Sequence, residues 1–157
     1  MSVLTPGKKN LITDVKGLYI GNSENELINT GSTILTCEDR FVASYKVLGG
    51  APGTRETDLL EPDKLVEKID ALVLSGGSAF GLEAASETVN LLRRDNKGYS
   101  VGNTKVPIVP SAIIFDLMNG GNKNWDNNPY IDLAQKAYFD LSSNFKIGSY
   151  GAGKGST

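Results

Sequence analysis

The sequence predicts a mixed α+β fold, and three features carry that prediction. A short, almost wholly apolar run at 70–74 is followed by a glycine-rich turn and then by apolar residues at helical spacing, which indicates a strand leading into a helix. Apolar stretches at 32–37 and 40–48 are typical of strands. A second helical pattern covers 131–141. We expect residues 1–157 to form a single domain, because a chain of 157 residues is long enough to bury a core.

Composition and charge exclude several classes of function. Lys and Arg total 16 and Asp and Glu total 18, so the net charge is -2, and no basic stripe favours nucleic-acid binding. No apolar run approaches the roughly 20 residues of a membrane span, and the N-terminus shows no apolar signal segment. Cys37 is the one cysteine, which excludes an internal disulfide. We therefore expect a cytoplasmic protein with no nucleic-acid and no membrane partner.

The chain contains no histidine. If the whole active site lies within this chain, a Ser-His-Asp triad, a Cys-His pair and an imidazole-bound zinc ion are excluded. A hydrolase built from these residues would need another base, such as an amine or a carboxylate. We expect neither a metal ion nor a cofactor.

The glycine-rich turn within 74–82 is the first candidate for a binding site. Gly76 and Gly77 allow a sharp turn and the close approach of another group. Ser78 is placed to cap the following helix, whose N-terminus would present backbone donors and a positive dipole end to an anion or a developing oxyanion. The alternative is a tight turn that packs the helix against a strand buried on both faces. The stretch by itself favours this alternative.

The first third of the chain predicts an edge strand and a hairpin. Residues 11–19 mix apolar and polar side chains, which indicates a strand or loop at a sheet edge, and the polar stretch 23–31 indicates a connecting turn. The strands at 32–37 and 40–48 would form a hairpin that turns at 38–39.

The stretch 49–58 has no apolar periodicity and indicates a shaped loop. Within it, Glu56 and Asp58 flank Arg55, which predicts a local salt-bridge cluster; an arginine offered to another carboxylate is the alternative. After the loop, Pro62 stands in the first turn of a predicted short helix. The residues of this helix that would face the core are Leu65, Val66 and Ile69.

The second half of the chain predicts another apolar strand before the last helix. Gly98 suits the C-terminus of the central helix. The apolar strand covers 111–117, and Asp116 near its end is expected either to be paired or to lie at the mouth of the strand. The Gly- and Asn-rich stretch 119–128 indicates a surface loop, in which Trp125 needs a packing partner.

The C-terminal tail resembles a phosphate-binding loop in its spacing. Gly148, Gly153 and Lys154 are spaced as that motif requires. Gly155 occupies the position of the Ser or Thr that would hold a magnesium ion, and no helix-forming stretch follows it. Nucleotide binding through residues 148–154 is therefore a minor alternative.

Five stretches, in register along the chain, together resemble one family. They are LITDVKGLYIG at 11–21, GGAPGTRETDLL at 49–60, LSGGSAFGLEA at 74–84, VPIVPSAIIFDL at 106–117 and GSYGAGKGST at 148–157. The family they resemble is that of the self-processing aminopeptidases, which includes L-aminopeptidase/D-esterase, the β-peptidyl aminopeptidases and the nylon-oligomer hydrolases.

The resemblance implies a fold and a mechanism. Members are made as a longer precursor that cuts its own chain before a Ser or Thr, which then becomes the N-terminal nucleophile of a second chain. The free amine of that residue serves as base, which agrees with the absence of histidine. The implied fold is part of a four-layer α/β/β/α sandwich like that of the N-terminal-nucleophile hydrolases. The implied partners are a small peptide, amide or ester substrate, the second chain of the precursor and further copies in a homo-oligomer.

The resemblance places no catalytic residue within this chain. The family's nucleophile, its lysine and its oxyanion-hole asparagine all fall beyond Thr157. The substrate-binding residues implied here are Gly76, Gly77, Ser78 and Phe115. Phe115 stands where some relatives carry a tyrosine. A second departure is Asn22, at a position where many members carry a histidine.

The chain by itself leaves a further function open. If the 157 residues are the N-terminal portion of a longer precursor, the protein is expected to be an aminopeptidase or amidase. If they are the whole product, the chain would be a catalytically inactive homologue that serves as a binding or interaction module. A sandwich cut in half would expose apolar sheet surface, so the short chain is expected to associate or to be poorly soluble.

Overall fold

The computed structural model describes residues 4–156, which contain a five-stranded sheet, a two-stranded sheet and two α-helices. The strands are, in chain order, β1 (Leu18–Asn25), β2 (Thr30–Phe41), β3 (Thr54–Arg55), β4 (Ile69–Ser75), β5 (Tyr99–Val101), β6 (Thr104–Val106) and β7 (Ser111–Ile113). The helices are α1 (Glu83–Arg94) and α2 (Tyr130–Phe139), and short 3-10 turns cover Ile12–Asp14, Asp58–Leu60, Ser78–Leu82 and Gly151–Gly155. The predicted mixed α+β fold is confirmed. None of the helices in residues 4–156 is long and apolar enough to cross a membrane.

The larger sheet has the strand order β1-β2-β4-β7-β3, and β5 pairs with β6 in a separate hairpin. β1 and β4 run antiparallel to β2, while β3 runs antiparallel to β7 at the far edge. β4 and β7 are parallel. Their carboxyl ends therefore meet at one edge of the sheet, where the turn after β4 lies beside the segment after β7.

Both helices pack on one face of this sheet. Ile34 of β2 is paired with Val73 of β4, and both side chains are fully buried under the helices. The other buried members of this core are Ala71, Ala84, Ala85, Leu92, Val109, Tyr130, Leu133, Ala134 and Ala137. In α1 the buried positions recur at helical spacing, so its sequence pattern alone orients it on the sheet.

The opposite face of the sheet is apolar and partly open. Side chains alternate between the faces of a strand, so Leu72 and Leu74 point away from the helices. Leu35 is opposite Leu72, and Ala112 is opposite Leu74. The Leu74 side chain is 43% exposed. The expectation of a strand buried on both faces is therefore wrong, because residues 4–156 place a helix layer on only one of them.

The predicted hairpin lies elsewhere in the chain. β2 continues through 38–39, with an irregular register between Thr36 and Phe41, so no turn forms there. The turn joins β1 to β2 instead, within the stretch 23–31 that is predicted to be a connecting turn, although the strands take up both ends of that stretch. Asn25 Oδ1 accepts hydrogen bonds from the N–H groups of the two residues after Glu26, and Asn29 has a φ of 47°. Asparagine suits both positions, because its side chain accepts from nearby N–H groups and its backbone tolerates a positive φ. At 38–39 the chain stays extended, and β2 thereby extends its pairing with β4 as far as Phe41. β1 is an edge strand, but it includes only the last two residues of the stretch 11–19 that is predicted to lie at a sheet edge.

The region before β4 also departs from the sequence prediction. Residues 61–68 form no helix, Leu65 is 88% exposed, and Ile69 is the first residue of β4. A helix of so few residues is unstable in isolation, and Ile69, which was expected to face the core from this helix, pairs in the sheet instead.

Arg55 has no carboxylate oxygen within 4 Å among the described residues and donates to Ser86 Oγ at 2.6 Å, so the predicted salt-bridge cluster is wrong.

The ends of the helices are held by backbone conformation. Ser78 has a φ of 52° and makes no side-chain cap, so the predicted cap is wrong; a 3-10 turn leads into α1 instead. At the other end of α1, Asn96 (φ 56°) takes the left-handed conformation that was expected of Gly98.

Trp125 packs edge-on against Phe80, with ring centroids 5.0 Å apart, and Phe80 is therefore the packing partner that Trp125 was expected to need.

Candidate functional site

The three N–H groups of the turn after β4 donate to acceptors in neighbouring segments. Gly76 N–H donates to the Gly31 carbonyl at 2.9 Å, and Ser78 N–H donates to the Ile114 carbonyl at 3.0 Å. Gly77 N–H donates to Asp116 Oδ1 at 2.6 Å. All three donors are thus occupied within the chain. The interpretation as a tight packing turn is confirmed, and these N–H groups do not form an anion site.

The two glycines of the turn are required by their surroundings. A Cβ added to Gly76 would overlap Asp116 Oδ2, and one added to Gly77 would overlap the Tyr130 ring. Gly77 also has a φ of 85°, in the left-handed region that other residues adopt at a cost. The turn therefore cannot be built from larger residues without moving either α2 or the segment after β7.

Asp116 is the centre of a buried polar network beneath this turn. Its side chain is 1% exposed, and its Oδ2 accepts a short hydrogen bond from Thr30 Oγ1. The Tyr130 hydroxyl lies 3.1 Å from the same Thr30 oxygen. Burial raises the pKa of Tyr130 to about 12, Asp116 adds to that rise, and the bond with Thr30 opposes it. The expectation that Asp116 is paired is confirmed, although its partners are hydrogen-bond donors and not a cation.

Phe115 lies beside the turn and points to solvent. Its side chain is 64% exposed, and it stands between Ile114, which accepts from Ser78 N–H, and Asp116, which accepts from Gly77 N–H. The structure thus brings together the four residues predicted to bind substrate. Phe80 in the following 3-10 turn is 49% exposed, so aromatic surface borders the turn. Substrate binding at these residues remains a prediction.

A shallow apolar cavity of about 230 Å³ opens where β4 and β7 end, and sequence reasoning did not find it. Its lining includes Leu74, Ala112, Ile114, Ala152 and Ser156. The tail 148–156 forms one wall and covers part of the sheet face that the helices leave open. The sequence feature that could have indicated this cavity is the alternation of side-chain direction along β4, which puts Leu74 on the sheet face opposite to that of Val73.

The tail is tied to the sheet and, despite its spacing, does not have the structure of a phosphate-binding loop in the described residues 148–156. Lys154 Nζ lies 2.6 Å from Glu26 Oε2, so the lysine is already paired. Gly151 N–H donates to Glu24 Oε2, and Ala152 N–H donates to Thr33 Oγ1. Only a 3-10 turn is present where the motif would require an α-helix. The alternative of nucleotide binding is therefore not supported.

Asn22, the second departure from the family pattern, has a structural role. The Asn22 side chain accepts from Thr33 Oγ1 at 2.8 Å and donates to the Lys146 carbonyl at 3.0 Å, so it joins β1 to β2 and to the segment just before the tail. Among residues 4–156 no group of three or more Cys, Asp or Glu side chains is arranged to hold a metal ion.

Comparison with known proteins assigns the chain to a family. Residues 10–157 match Peptidase family S58. The chain belongs to this family. An uncharacterized aminopeptidase of Mycobacterium bovis is 38% identical to it over 152 residues, which cover 92% of this chain and 43% of the relative. The resemblance to the self-processing aminopeptidases, drawn from five stretches of sequence, is confirmed at the level of the family.

Solved structures establish the fold of this S58 chain. A beta-aminopeptidase of Burkholderia sp. superposes with a TM-score of 0.77 at 19% identity, over 99% of this chain and 45% of that one. The L-aminopeptidase D-Ala-esterase/amidase of Ochrobactrum anthropi superposes with a TM-score of 0.74 at 20% identity, over 99% and 46%. The latter is described as a variant of the ntn hydrolase fold. The S58 chain spans less than half the length of the proteins it resembles.

Proposed function

We propose that this chain is the N-terminal portion of an aminopeptidase or amidase that hydrolyses a small peptide, amide or ester. The observation that carries the proposal is the open apolar sheet face around Leu74 in a chain of family S58. The relative from Mycobacterium bovis is about twice this length, which leaves room for a second half that would cover this face. One sheet and one helix layer lie in this chain, and the other two layers of the sandwich would come from the remainder of the precursor.

The chemistry follows from the family's nucleophile. The precursor would cut itself before a Ser or Thr, whose hydroxyl then attacks the substrate carbonyl while its own free amine takes the proton. An acyl-enzyme forms, the amine or alcohol of the substrate leaves, and water releases the acid. No step of this sequence needs an imidazole, which agrees with the absence of histidine from this chain.

This chain would form one wall of the substrate pocket. Phe115 would supply an exposed apolar side chain, the half-buried Ser78 would lie beside it, and the buried Gly76 and Gly77 would shape the turn beneath this surface. Their placement at the carboxyl ends of two parallel strands, next to the 230 Å³ cavity, supports that role. We further propose that the paired chains assemble into a homo-oligomer and that they act in the cytoplasm. The support for the cytoplasmic location is that the chain has a single cysteine, Cys37.

The test is the intact mass of the protein made from its complete gene, together with its hydrolysis of aminoacyl anilides, β-peptides and D-amino esters. We expect two chains, one of which begins with Ser or Thr, and release of the aniline, amine or alcohol. Replacing that first residue by alanine should abolish both cleavage and hydrolysis. A single inactive chain of about 16.8 kDa would overturn the proposal and leave a binding or interaction module.

A further inference from the structure

Asp116 connects three segments that surround the proposed pocket. Its Oδ1 accepts from Gly77 N–H of the turn at 2.6 Å, and its Oδ2 accepts from Thr30 Oγ1 at the start of β2. On a third side lies Gly155 of the tail, so close that an added Cβ would overlap Oδ2. With 1% of its surface exposed, the carboxylate cannot itself touch a substrate.

A carboxylate buried at this position is costly unless other groups replace its lost hydration. No Lys or Arg nitrogen of the described residues lies within 4 Å of Asp116, so only hydrogen bonds compensate for the lost hydration. Its two oxygens receive donors from two different segments, the turn after β4 and the start of β2. Asparagine has the same shape but would present an NH₂ group to one of the two donors.

Asp70 provides a contrast at the opposite end of the sheet. Its side chain is also buried, at 6% exposure, but it pairs with Arg40 Nε at 3.4 Å and accepts from Ile108 N–H at 2.9 Å. This second carboxylate lies at the start of β4, whereas the turn follows the end of that strand. The two residues are therefore matched in burial and differ in their relation to the pocket.

We propose that Asp116 is a positioning residue for the hydrolytic reaction. It holds Gly77 in its left-handed conformation and thereby sets the path of the turn relative to Phe115 and the tail. The inference rests on the proposed function, because the turn matters for rate only if it borders the substrate. A displacement of about 1 Å in such an element lowers the rate by on the order of 100-fold.

The test compares Asp116→Asn with Asp70→Asn in the protein made from the complete gene. We expect Asp116→Asn to lower kcat/KM by on the order of 100-fold, mainly through kcat, and Asp70→Asn to change it by less than about 3-fold at a similar loss of Tm. Hydrogen exchange should accelerate in the peptide that contains Gly77 in the first variant only. Parallel losses of Tm and activity in the two variants, or unchanged kcat in Asp116→Asn, would overturn the inference.

A second pair of variants decides the matter if Asp116→Asn does not fold. Thr30→Val removes the donor to Oδ2, and Thr30→Ser keeps it. We expect the valine variant to lower kcat and the serine variant to restore it; equal kcat values in both would refute the role. If the wild-type protein hydrolyses none of the substrates, the proposed function fails, and the exchange rate at Gly77 still reports whether Asp116 holds the turn.

Discussion

Gly21 of β1 lies directly against the carbonyl oxygen of Ala137 in α2, so that a Cβ at position 21 would overlap this oxygen. Gly21→Ala should therefore force α2 away from the sheet and lower the free energy of unfolding by about 2 kcal/mol or more. Gly50→Ala is the matched control, because no atom lies within 4 Å of the position of its added Cβ. Urea denaturation of the two variants measures the difference, and equal midpoints would contradict the observed packing.

Gly77→Ala should be more destabilising than Gly148→Ala, although both glycines have positive φ values, 85° and 96°. The conformational cost, about 1–2 kcal/mol, is common to the two substitutions. Only at Gly77 does the added methyl group also overlap the Tyr130 ring, whereas the space around Gly148 is open. We expect an excess loss of at least about 1 kcal/mol for Gly77→Ala in chemical denaturation. Equal losses would show that Tyr130 moves freely.

Tyr130 should make the stability of the fold depend on pH in the alkaline range. Its pKa of about 12 in the folded protein exceeds the ordinary value of 10.0, so the fold favours the protonated hydroxyl. The corresponding stability is complete below pH 10 and is lost as the pH rises from 10 towards 12, by at most about 3 kcal/mol.

The Tyr130→Phe variant isolates this contribution from the other groups that titrate in the same range. It should be less stable than the wild type at pH 8, because it lacks the hydrogen bond with Thr30, and it should lose less stability between pH 9 and 11.5. Unfolding free energies from urea titrations at these pH values are the measurement. Parallel pH profiles for the two proteins would rule out a raised pKa at Tyr130.

Leu74 should promote association of the 157-residue chain when it is made alone. Its side chain is 43% exposed on the sheet face that the helices leave open, beside Ala112 and Leu72. We expect the chain to sediment as oligomers or aggregates, and Leu74→Glu to shift it towards the monomer. Leu65→Glu is the control, since Leu65 is 88% exposed in a loop outside the sheet. An unmodified chain that sediments as a monomer would argue against a missing second half.

The sequence predicted elements whose signals are local and strong. The apolar run 70–74 became β4, and the helical spacing that begins at Leu82 became α1. The hairpin was misplaced because Glu38 and Asp39 look like a turn only as long as the pairing of β2 with β4 is unknown. Likewise, the apolar spacing after Pro62 predicts a helix, and nothing in that spacing shows that Ile69 pairs in the sheet as the first residue of β4.

The candidate site divides in the same way. The turn 76–78 and Phe115 were recognised from their motifs, and the structure places them side by side. The partnership of Asp116 with Thr30 joins residues 86 positions apart, and the contact between Gly77 and Tyr130 joins two others that are distant in sequence. No local pattern marks Thr30 as a partner, because its hydroxyl has a role only once β2 lies beside the segment after β7.

Residue identity and short-range order are enough to predict the family, the mixed α+β class, the central strand and helix, and the exclusion of imidazole chemistry within this chain. Three other properties become visible only in the folded chain: which face of β4 is covered, that the three N–H groups of the turn are occupied, and that Asp116 is held by donors and not by a cation. These properties depend on which residues that are distant in sequence contact each other in the interior. Hydrogen bonding and burial at such contacts are determined by the packing of the whole chain and not by neighbours in sequence.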